Sequence, residues 1–134
     1  MITNQNRTKL WRATDNDLRM NPAIIQLVHV TKDYQTPAGP FRALEDVQIE
    51  IFYGEFVAIV GKSGAGKTTL VNMITGVDHP TGGDVRVGDT NIHTLSEDQL
   101  SLWRGRNLGV IYQSFHLLPG ISLLGNTMLP MDLC

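Results

Sequence analysis

A run of residues in the middle of the chain matches the phosphate-binding loop pattern G-x-x-x-x-G-K-[ST]. It reads Gly61-Lys62-Ser63-Gly64-Ala65-Gly66-Lys67-Thr68-Thr69. Glycines adopt backbone angles closed to larger residues, so successive N–H groups in such a loop can turn inward and surround phosphate oxygens. We expect Lys67 to reach the β and γ phosphates of a nucleotide and the Thr68 hydroxyl to bind Mg²⁺. The pattern therefore predicts a nucleotide phosphate site.

The residues on either side of this loop have the periodicity that the site requires. Phe56 to Val60 form a short apolar run with the length of a buried strand. Behind the loop, apolar residues repeat at helical spacing up to Gly76, a residue typical of helix ends. The alternative is an ordinary glycine-rich turn between a strand and a helix. The order of strand, loop and helix favours the phosphate site, with the helix N-terminus adding partial positive charge.

Composition narrows the classes of protein to consider. The chain has 134 residues, 42% of them hydrophobic, which is enough for one packed domain. A formal charge of −2 argues against nucleic acid as a partner. The single cysteine, Cys134, provides neither a disulfide framework nor a Cys/His metal site and suits a reducing cytoplasm. No apolar stretch approaches about 18 residues, so we expect any membrane association to require a partner.

The chain divides into a polar N-terminal segment and a domain. We expect residues 1–22 to be a flexible or weakly helical extension, although Trp11 and Leu18 offer apolar side chains that would dock it. Residues 23–134 form the predicted domain. Residues 24–30, at its start, are rich in β-branched side chains, and buried-type apolar residues occupy every second position of residues 47–52. These two patterns predict two antiparallel strands.

Downstream of the loop the sequence predicts shorter elements. Residues 78–83, which include a proline and two glycines that interrupt regular secondary structure, precede a predicted short strand at 84–87. The Ser96-x-x-Gln99 spacing is that of a capping box, and it predicts a helix that continues to about Arg104. Residues 108–112 are interpreted as a buried strand that ends at Gln113, and residues 117–124 as a turn followed by the start of a helix.

From about residue 24 to its end, this order of features resembles the ATP-binding domain of ABC transporters. The resemblance implies an α/β fold: a P-loop NTPase core with an N-terminal antiparallel β subdomain. In that family the signature Leu-Ser-Gly-Gly-Gln, the Mg²⁺ aspartate, the catalytic glutamate and the switch histidine all follow the glutamine loop. The chain is therefore expected to hold an incomplete domain, with the C-terminal half absent.

The resemblance also assigns roles to residues and implies the cofactors ATP and Mg²⁺. Tyr34 corresponds to the aromatic residue that stacks on adenine, although an edge-strand tyrosine without that role remains an alternative. Gln113 corresponds to the glutamine that contacts Mg²⁺ or the attacking water and couples the site to the transport subunit. Without the resemblance, a glutamine at a strand end is unremarkable. Lys67 and Gln113 are the implied catalytic residues, and Thr68 and Gln113 are the implied metal contacts.

Within the family, the segments around Asp78, Ser96 and Pro119 resemble the branch that powers macrolide export and lipoprotein release. The branch implies a transmembrane permease partner, a second ATP-binding subunit in a dimer, and a position on the inner face of the cell membrane. Where it usually has Glu-Asn-Val, this chain has Gly125-Asn126-Thr127. Glycine costs about 1 kcal/mol relative to alanine inside a helix, so the helix here is expected to be looser.

Three functions remain open at this point. The first is the ATP-binding half of an ABC ATPase whose whole form drives transport. The second is a non-hydrolytic nucleotide-binding module or an inactive truncation product, because the signature and the catalytic base are missing. The third, a small P-loop kinase, requires an acceptor-binding lid that the sequence does not show. Loss of the strand that carries the Mg²⁺ aspartate is expected to expose an apolar edge and to favour aggregation.

Overall fold

The structure is a computed structural model. It describes residues 9–13, 22–113 and 117–132. The chain separates into two compact units, Met1–Ser96 and Glu97–Cys134. In chain order the strands and helices of the described residues are β1 (Lys9–Ala13), β2 (Ala23–Thr36), β3 (Gly39–Phe52), β4 (Phe56–Val60), α1 (Lys67–Thr75), β5 (Gly82–Val87), β6 (Thr90–Asn91), α2 (Glu97–Asn107) and α3 (Leu123–Asp132), and Ile92–Thr94 form a 3₁₀ turn.

A four-stranded antiparallel sheet of order β3-β2-β5-β6 forms most of the first unit. The predicted antiparallel pair is confirmed as β2 and β3, and both strands are longer than the sequence pattern suggests. Leu27 lies opposite Ile49 and Tyr34 lies opposite Phe41. Register shifts interrupt this ladder, and His29 (φ 52°) and Asp46 (φ 47°) adopt left-handed backbone angles there. The extra length places the far end of the hairpin beside the phosphate-binding loop.

The hydrophobic core of the first unit lies between this sheet and α1. On α1, Leu70, Met73 and Ile74 are buried, which is the i, i+3, i+4 spacing of one helix face. Val71 and Val77, from the same predicted apolar run, are 38% and 50% exposed. Burial of each large apolar side chain stabilises the fold by about 1.5–3 kcal/mol. The sheet and the 3₁₀ turn supply the other buried apolar side chains of the unit: Leu27, Val30, Ala43, Leu44, Ile49, Val85 and Ile92.

Strand β4, which leads into the loop, pairs antiparallel with β1. The register runs from Lys9 opposite Val60 to Ala13 opposite Phe56. This differs from the flexible or weakly helical extension that we expect from the sequence of residues 1–22. Unpaired backbone groups along a strand favour a partner strand, and five extended residues provide one here. Residues 1–8 and 14–21, including Leu18, lie outside the described residues.

In the second unit, α2 continues past the predicted end at Arg104 to Asn107. Acidic residues in its first turn and basic residues in its last turn are favourable for the helix dipole. The strand predicted at residues 108–112 is wrong, because these residues have no regular secondary structure. A strand requires a hydrogen-bonded neighbour, and no described strand pairs with this segment. Its Ile111 side chain is fully exposed.

Helix α3 forms despite Gly125 and Thr127. The Ser122 hydroxyl accepts a hydrogen bond from the Gly125 N–H at 3.0 Å, which is the geometry of an N-cap. The Asn126 side chain accepts from the Leu118 N–H at 2.8 Å and donates to the Leu118 and Ile121 carbonyls. These bonds fix the preceding loop to the helix. Among the described residues, no helix has the length and apolar content needed to cross a bilayer.

A phosphate-binding loop with an adjoining cleft

The predicted order of strand, loop and helix is confirmed around residues 61–66. Strand β4 ends at Val60, and α1 begins at Lys67, immediately after the loop. Gly64 (φ 76°) and Gly66 (φ 84°) adopt left-handed backbone angles, which larger residues rarely do. Gly61 does not, so only two of the three loop glycines are needed for their backbone angles.

A glycine is also required at position 66 because the surrounding atoms leave no room for a side chain. A Cβ atom at this position would lie 2.7 Å from the Ala43 carbonyl oxygen and 3.2 Å from a methyl carbon of Leu44. At Gly64 a Cβ atom would meet nothing within 4 Å. The backbone of β3 therefore packs directly against the loop at Gly66, and this contact fixes the position of the loop relative to the sheet.

The Lys67 ammonium lies over the start of the loop. Its Nζ donates hydrogen bonds to the Gly61 carbonyl at 2.9 Å and to the Lys62 carbonyl at 2.8 Å. The first turn of α1, with its free N–H groups and the positive end of the helix dipole, begins at the same residue. Gly66 provides no side chain to cap these N–H groups. The positive charge of Lys67 and the N–H donors of α1 are therefore close together, in an arrangement suited to binding an anion.

The two hydroxyl residues that follow Lys67 differ in exposure. Thr68, the predicted Mg²⁺ contact, is exposed at the first turn of α1, whereas Thr69 is half-buried. Burial raises the pKa of Tyr34, and a hydrogen bond between its side chain and Thr69 opposes this rise only in part. Tyr34 and the first turn of α1 are therefore in contact.

A cleft of about 320 Å³ lies beside the loop. Its lining residues are Lys62, Ser63, Gly64 and Ala65 of the loop and Phe41, Arg42 and Ala43 of β3. The three residues of β3 were not predicted as site residues from the sequence. Phe41 lies opposite Tyr34 in the β2–β3 register, outside the two strands predicted at residues 24–30 and 47–52, so no sequence signal marks it. No carboxylate is present among the lining residues.

Tyr34 is held by a polar cluster at the C-terminal end of α1. Its hydroxyl donates to Asp78 Oδ2 at 2.8 Å, and the Lys32 ammonium lies 4.9 Å from its ring centroid. Burial and the bond to Asp78 raise the pKa of Tyr34. Tyr34 is not among the residues that line the cleft.

Asp78 is the centre of this cluster. Lys32 donates to its Oδ1 at 2.6 Å, and the His79 backbone N–H donates to the same oxygen at 2.7 Å. Burial alone would raise the pKa of Asp78, but the hydrogen bonds from Lys32, Tyr34 and His79 outweigh it and lower the pKa. The cluster therefore holds an ionised carboxylate that anchors β2 to the segment following α1.

His93 extends the cluster beneath α1. Its Nε2 donates to the Met73 carbonyl at 3.0 Å, and its ring meets that of His79 edge-on at 5.0 Å between centroids. Burial lowers the pKa of His93, although the bond to Met73 opposes this. Nδ1 of His93 is buried without a hydrogen-bond partner among the described residues. The ring is therefore held neutral.

Arg42 fixes the end of the hairpin next to the cleft. Its Nε and Nη2 donate to the two carboxylate oxygens of Asp33 at 2.8 and 3.1 Å. These bonds from Arg42 lower the pKa of Asp33. A bidentate pair of this kind restricts both side chains, so the neighbouring Phe41 stands on an ordered strand.

Gln113 belongs to the second unit, whereas the loop residues and Tyr34 belong to the first. Gln113 is exposed, and it comes directly after the irregular segment 108–112. The roles assigned to Tyr34 and Gln113 remain predictions.

A family model and several named proteins are similar to this chain in sequence. The family model described as ABC transporter matches residues 44–131. The lipoprotein-releasing system ATP-binding protein LolD of Anaeromyxobacter dehalogenans is 43% identical over 80% of this chain and 45% of its own length. The macrolide export ATP-binding/permease protein MacB of Nitrobacter winogradskyi is 40% identical over 83% of this chain and 17% of its own length.

A solved structure agrees with these relatives. The dimeric ABC transporter cassette MJ0796 superposes with a TM-score of 0.74 at 36% identity, over 81% of this chain and 47% of that one. The same cassette is also known in a post-hydrolysis state bound to ADP and Pi. The present chain thus spans about half of a cassette or less, which agrees with the partial fold expected from its sequence. Since the family model covers more than half of its residues, the chain belongs to the ABC transporter family.

Proposed function

We propose that this chain binds ATP with Mg²⁺ at the loop 61–69. The observation that carries the proposal is the convergence of the Lys67 ammonium, the left-handed glycines and the N-terminus of α1 on one anion site. Lys67 contacts the β and γ phosphates, and the exposed Thr68 hydroxyl binds the metal. Backbone N–H groups of the remaining loop residues surround the phosphates. The base lies toward the aromatic pair formed by Tyr34 and Phe41.

We further propose that the chain acts as part of the ATP-binding subunit of an ABC transporter. Support comes from relatives named for macrolide export and for lipoprotein release. In this account ATP hydrolysis drives export or lipoprotein extraction through a membrane permease, and Gln113 links the nucleotide to that partner. A second ATP-binding subunit completes the dimer, as in the dimeric MJ0796 cassette. The subunit then lies against the inner face of the cell membrane.

Titration of the 134-residue protein with Mg-ATP in a calorimeter tests the binding proposal. We expect saturable binding that Lys67→Ala weakens at least about tenfold, because a charge-assisted contact to phosphate contributes about 1.5–3 kcal/mol. Arg86→Ala, which removes a positive charge from an exposed position on β5, is the matched control and should bind as the wild type does. Equal affinity for wild type and Lys67→Ala would contradict the proposal.

Phosphate release under the same conditions separates binding from turnover. Neither the loop 61–69 nor the β3 side of the cleft contains a carboxylate that would act as a general base. We therefore expect the isolated chain to bind Mg-ATP with little turnover. Turnover that Lys67→Ala abolishes would show instead that these 134 residues contain a full catalytic set.

A further inference from the structure

We propose that His29 and Asp46 are positioning residues for the phosphate-binding loop, because their left-handed backbone bends the β2–β3 hairpin toward Gly66. This inference depends on the proposed function, since it concerns the loop as a nucleotide site. In the part of the chain that the structure describes, these two are the only non-glycine residues with positive φ, at 52° and 47°. Histidine and aspartate adopt such angles more often than most residues, but still uncommonly. Two of them on paired strands indicate a constraint that the rest of the fold imposes.

The first irregularity is a bulge in β2. Leu27 lies opposite Ile49 and Val30 lies opposite Val47, so β2 has two residues between these pairs where β3 has one. His29 is one of the two. Side chains of a regular strand alternate between its faces, so residues three positions apart would face opposite ways. The extra residue allows Leu27 and Val30, both buried, to face the same core.

The second irregularity is a bulge in β3, nearer the hairpin turn. Between the last of those pairs and the next, in which Lys32 lies opposite Leu44, β3 has two residues where β2 has one. Asp46 is one of the two. Leu44 and Ile49 would face opposite ways in a regular strand, yet both are buried in the core. The bulge at Asp46 is therefore what turns the far half of β3 toward the core.

Side-chain and backbone contacts connect the two bulges. Nδ1 of His29 lies 2.6 Å from Oδ1 of Asp46, and the Asp46 backbone N–H donates to the Thr31 hydroxyl at 3.4 Å. On the neighbouring strand β5, Gly83 has a φ of 85°, and a Cβ atom there would overlap the His29 carbonyl group. The bend therefore extends across three strands of the sheet.

The far half of the hairpin contacts the phosphate-binding loop. A Cβ atom at Gly66 would lie 2.7 Å from the Ala43 carbonyl oxygen and 3.2 Å from a methyl carbon of Leu44. Ala43 also lines the cleft beside the loop. A shift of one residue turns every side chain of a strand to its other face, so without the bulge at Asp46 the side chain of Leu44 would leave this contact. Since β2 is paired with β3 on both sides of the bulges, the angles of His29 and Asp46 together determine where the loop is held.

The test separates the backbone angle from the side-chain pair. Valine disfavours positive φ because its Cβ is branched, whereas glycine adopts it freely. The variants of the 134-residue protein are therefore His29→Val, His29→Gly, Asp46→Val and Asp46→Gly. Both glycine variants lose the bond between His29 and Asp46 but keep the left-handed angle. Val85→Ala is the destabilising control, because it removes buried core packing on β5 and leaves both bulges in place.

Two measurements are made on each variant. Calorimetric titration with Mg-ATP, with the folded fraction known from urea denaturation, gives the dissociation constant per folded molecule. Hydrogen exchange of the free protein, followed by mass spectrometry, reports the protection of residues 61–66. We expect each valine variant to weaken Mg-ATP binding about tenfold, because the bound state must restore an angle that valine disfavours. The same strain should accelerate exchange at residues 61–66 about fivefold, whereas the glycine variants and Val85→Ala should stay within about twofold of wild type in both measurements.

Several results would overturn the inference. Valine variants with unchanged exchange at residues 61–66, or with the affinity of a wild type that binds Mg-ATP, would show that these residues do not position the loop. Glycine variants as impaired as the valine variants would assign the effect to the side-chain pair, and an equal loss in Val85→Ala would assign it to general stability. Where valine prevents folding, alanine replaces it and should bind more weakly than glycine at the same position. Absence of Mg-ATP binding in the wild type would contradict the proposed function, and the exchange measurement would still decide whether His29 and Asp46 position the loop.

Discussion

At the scale of single residues, two glycines of the loop share a left-handed backbone but differ in their surroundings. Gly66→Ala forces a methyl group to within 2.7 Å of the Ala43 carbonyl oxygen, whereas Gly64→Ala meets open space. We expect Gly64→Ala to reduce the free energy of unfolding by about 1–2 kcal/mol through backbone strain. Gly66→Ala adds overpacking and should cost about 3 kcal/mol or more. Urea denaturation of both variants measures the difference, and equal losses would contradict the close contact of β3 with the loop.

The neutral, buried state of His93 predicts a pH dependence of stability. Its pKa in the folded protein lies below the ordinary 6.5 because of burial. The unfolded chain therefore binds the proton first as the pH falls. The stability associated with neutral His93 is fully present above about pH 6.5 and is lost as the pH falls toward the lower, folded pKa.

Urea denaturation at a series of pH values between 7 and 5 measures this loss. We expect His93→Gln to flatten the slope, since glutamine retains polarity without titrating. If the free energy of unfolding of His93→Gln changes with pH as steeply as that of the wild type, a group other than His93 causes the pH dependence. The contribution of Asp78 falls in a separate window, because its pKa is lowered from 3.8 and its stabilisation is lost only in stronger acid.

At the scale of elements, the pairing of β1 with β4 predicts which backbone amides are protected. Removal of residues 1–13 takes away the only described partner of β4, whereas removal of residues 1–8 leaves it in place. A hydrogen bond contributes about 1 kcal/mol net, so loss of the ladder should accelerate amide exchange at residues 56–60 about fivefold. Exchange measured by mass spectrometry on both truncated chains tests this. Equal protection of residues 56–60 in the two chains would contradict the pairing.

The elements around the loop were predictable because their signals are local. The left-handed turn at Gly66 and the helical spacing of Leu70, Met73 and Ile74 depend only on near neighbours in sequence. The β1–β4 pairing joins segments about fifty residues apart, and no local pattern at Lys9–Ala13 predicts it. The apolar run at residues 108–112 has the composition of a strand, yet composition alone does not supply the neighbour that a strand needs.

In the candidate site, likewise, the residues of the loop motif were predictable from the sequence and the residues contributed by β3 were not. Lys67 and Thr68 follow from the spacing of the loop motif, and the structure places both at the start of α1. Phe41 and Arg42 enter the cleft only through the register of β2 and β3, which contains several irregularities that the sequence does not specify. Their contribution is therefore visible only in three dimensions.

At the scale of the whole molecule, large apolar side chains are exposed in the second unit, as the expected incomplete fold implies. Ile111 is fully exposed, and Leu123 and Leu124 are 81% and 69% exposed. The phosphate loop, the cleft and the polar cluster around Asp78 all lie in the first unit, Met1–Ser96. Nucleotide binding is therefore expected to depend on the folding of that unit.

Thermal unfolding of the 134-residue protein with and without Mg-ATP, alongside Lys67→Ala, tests this account most directly. A ligand that binds only the native state stabilises it by about 2.7 kcal/mol when present at 100 times its dissociation constant. We predict a cooperative transition whose midpoint rises with Mg-ATP concentration in the wild type, and little or no rise in Lys67→Ala. A midpoint unaffected by Mg-ATP, or raised equally in both proteins, would contradict the claim that this loop binds the nucleotide.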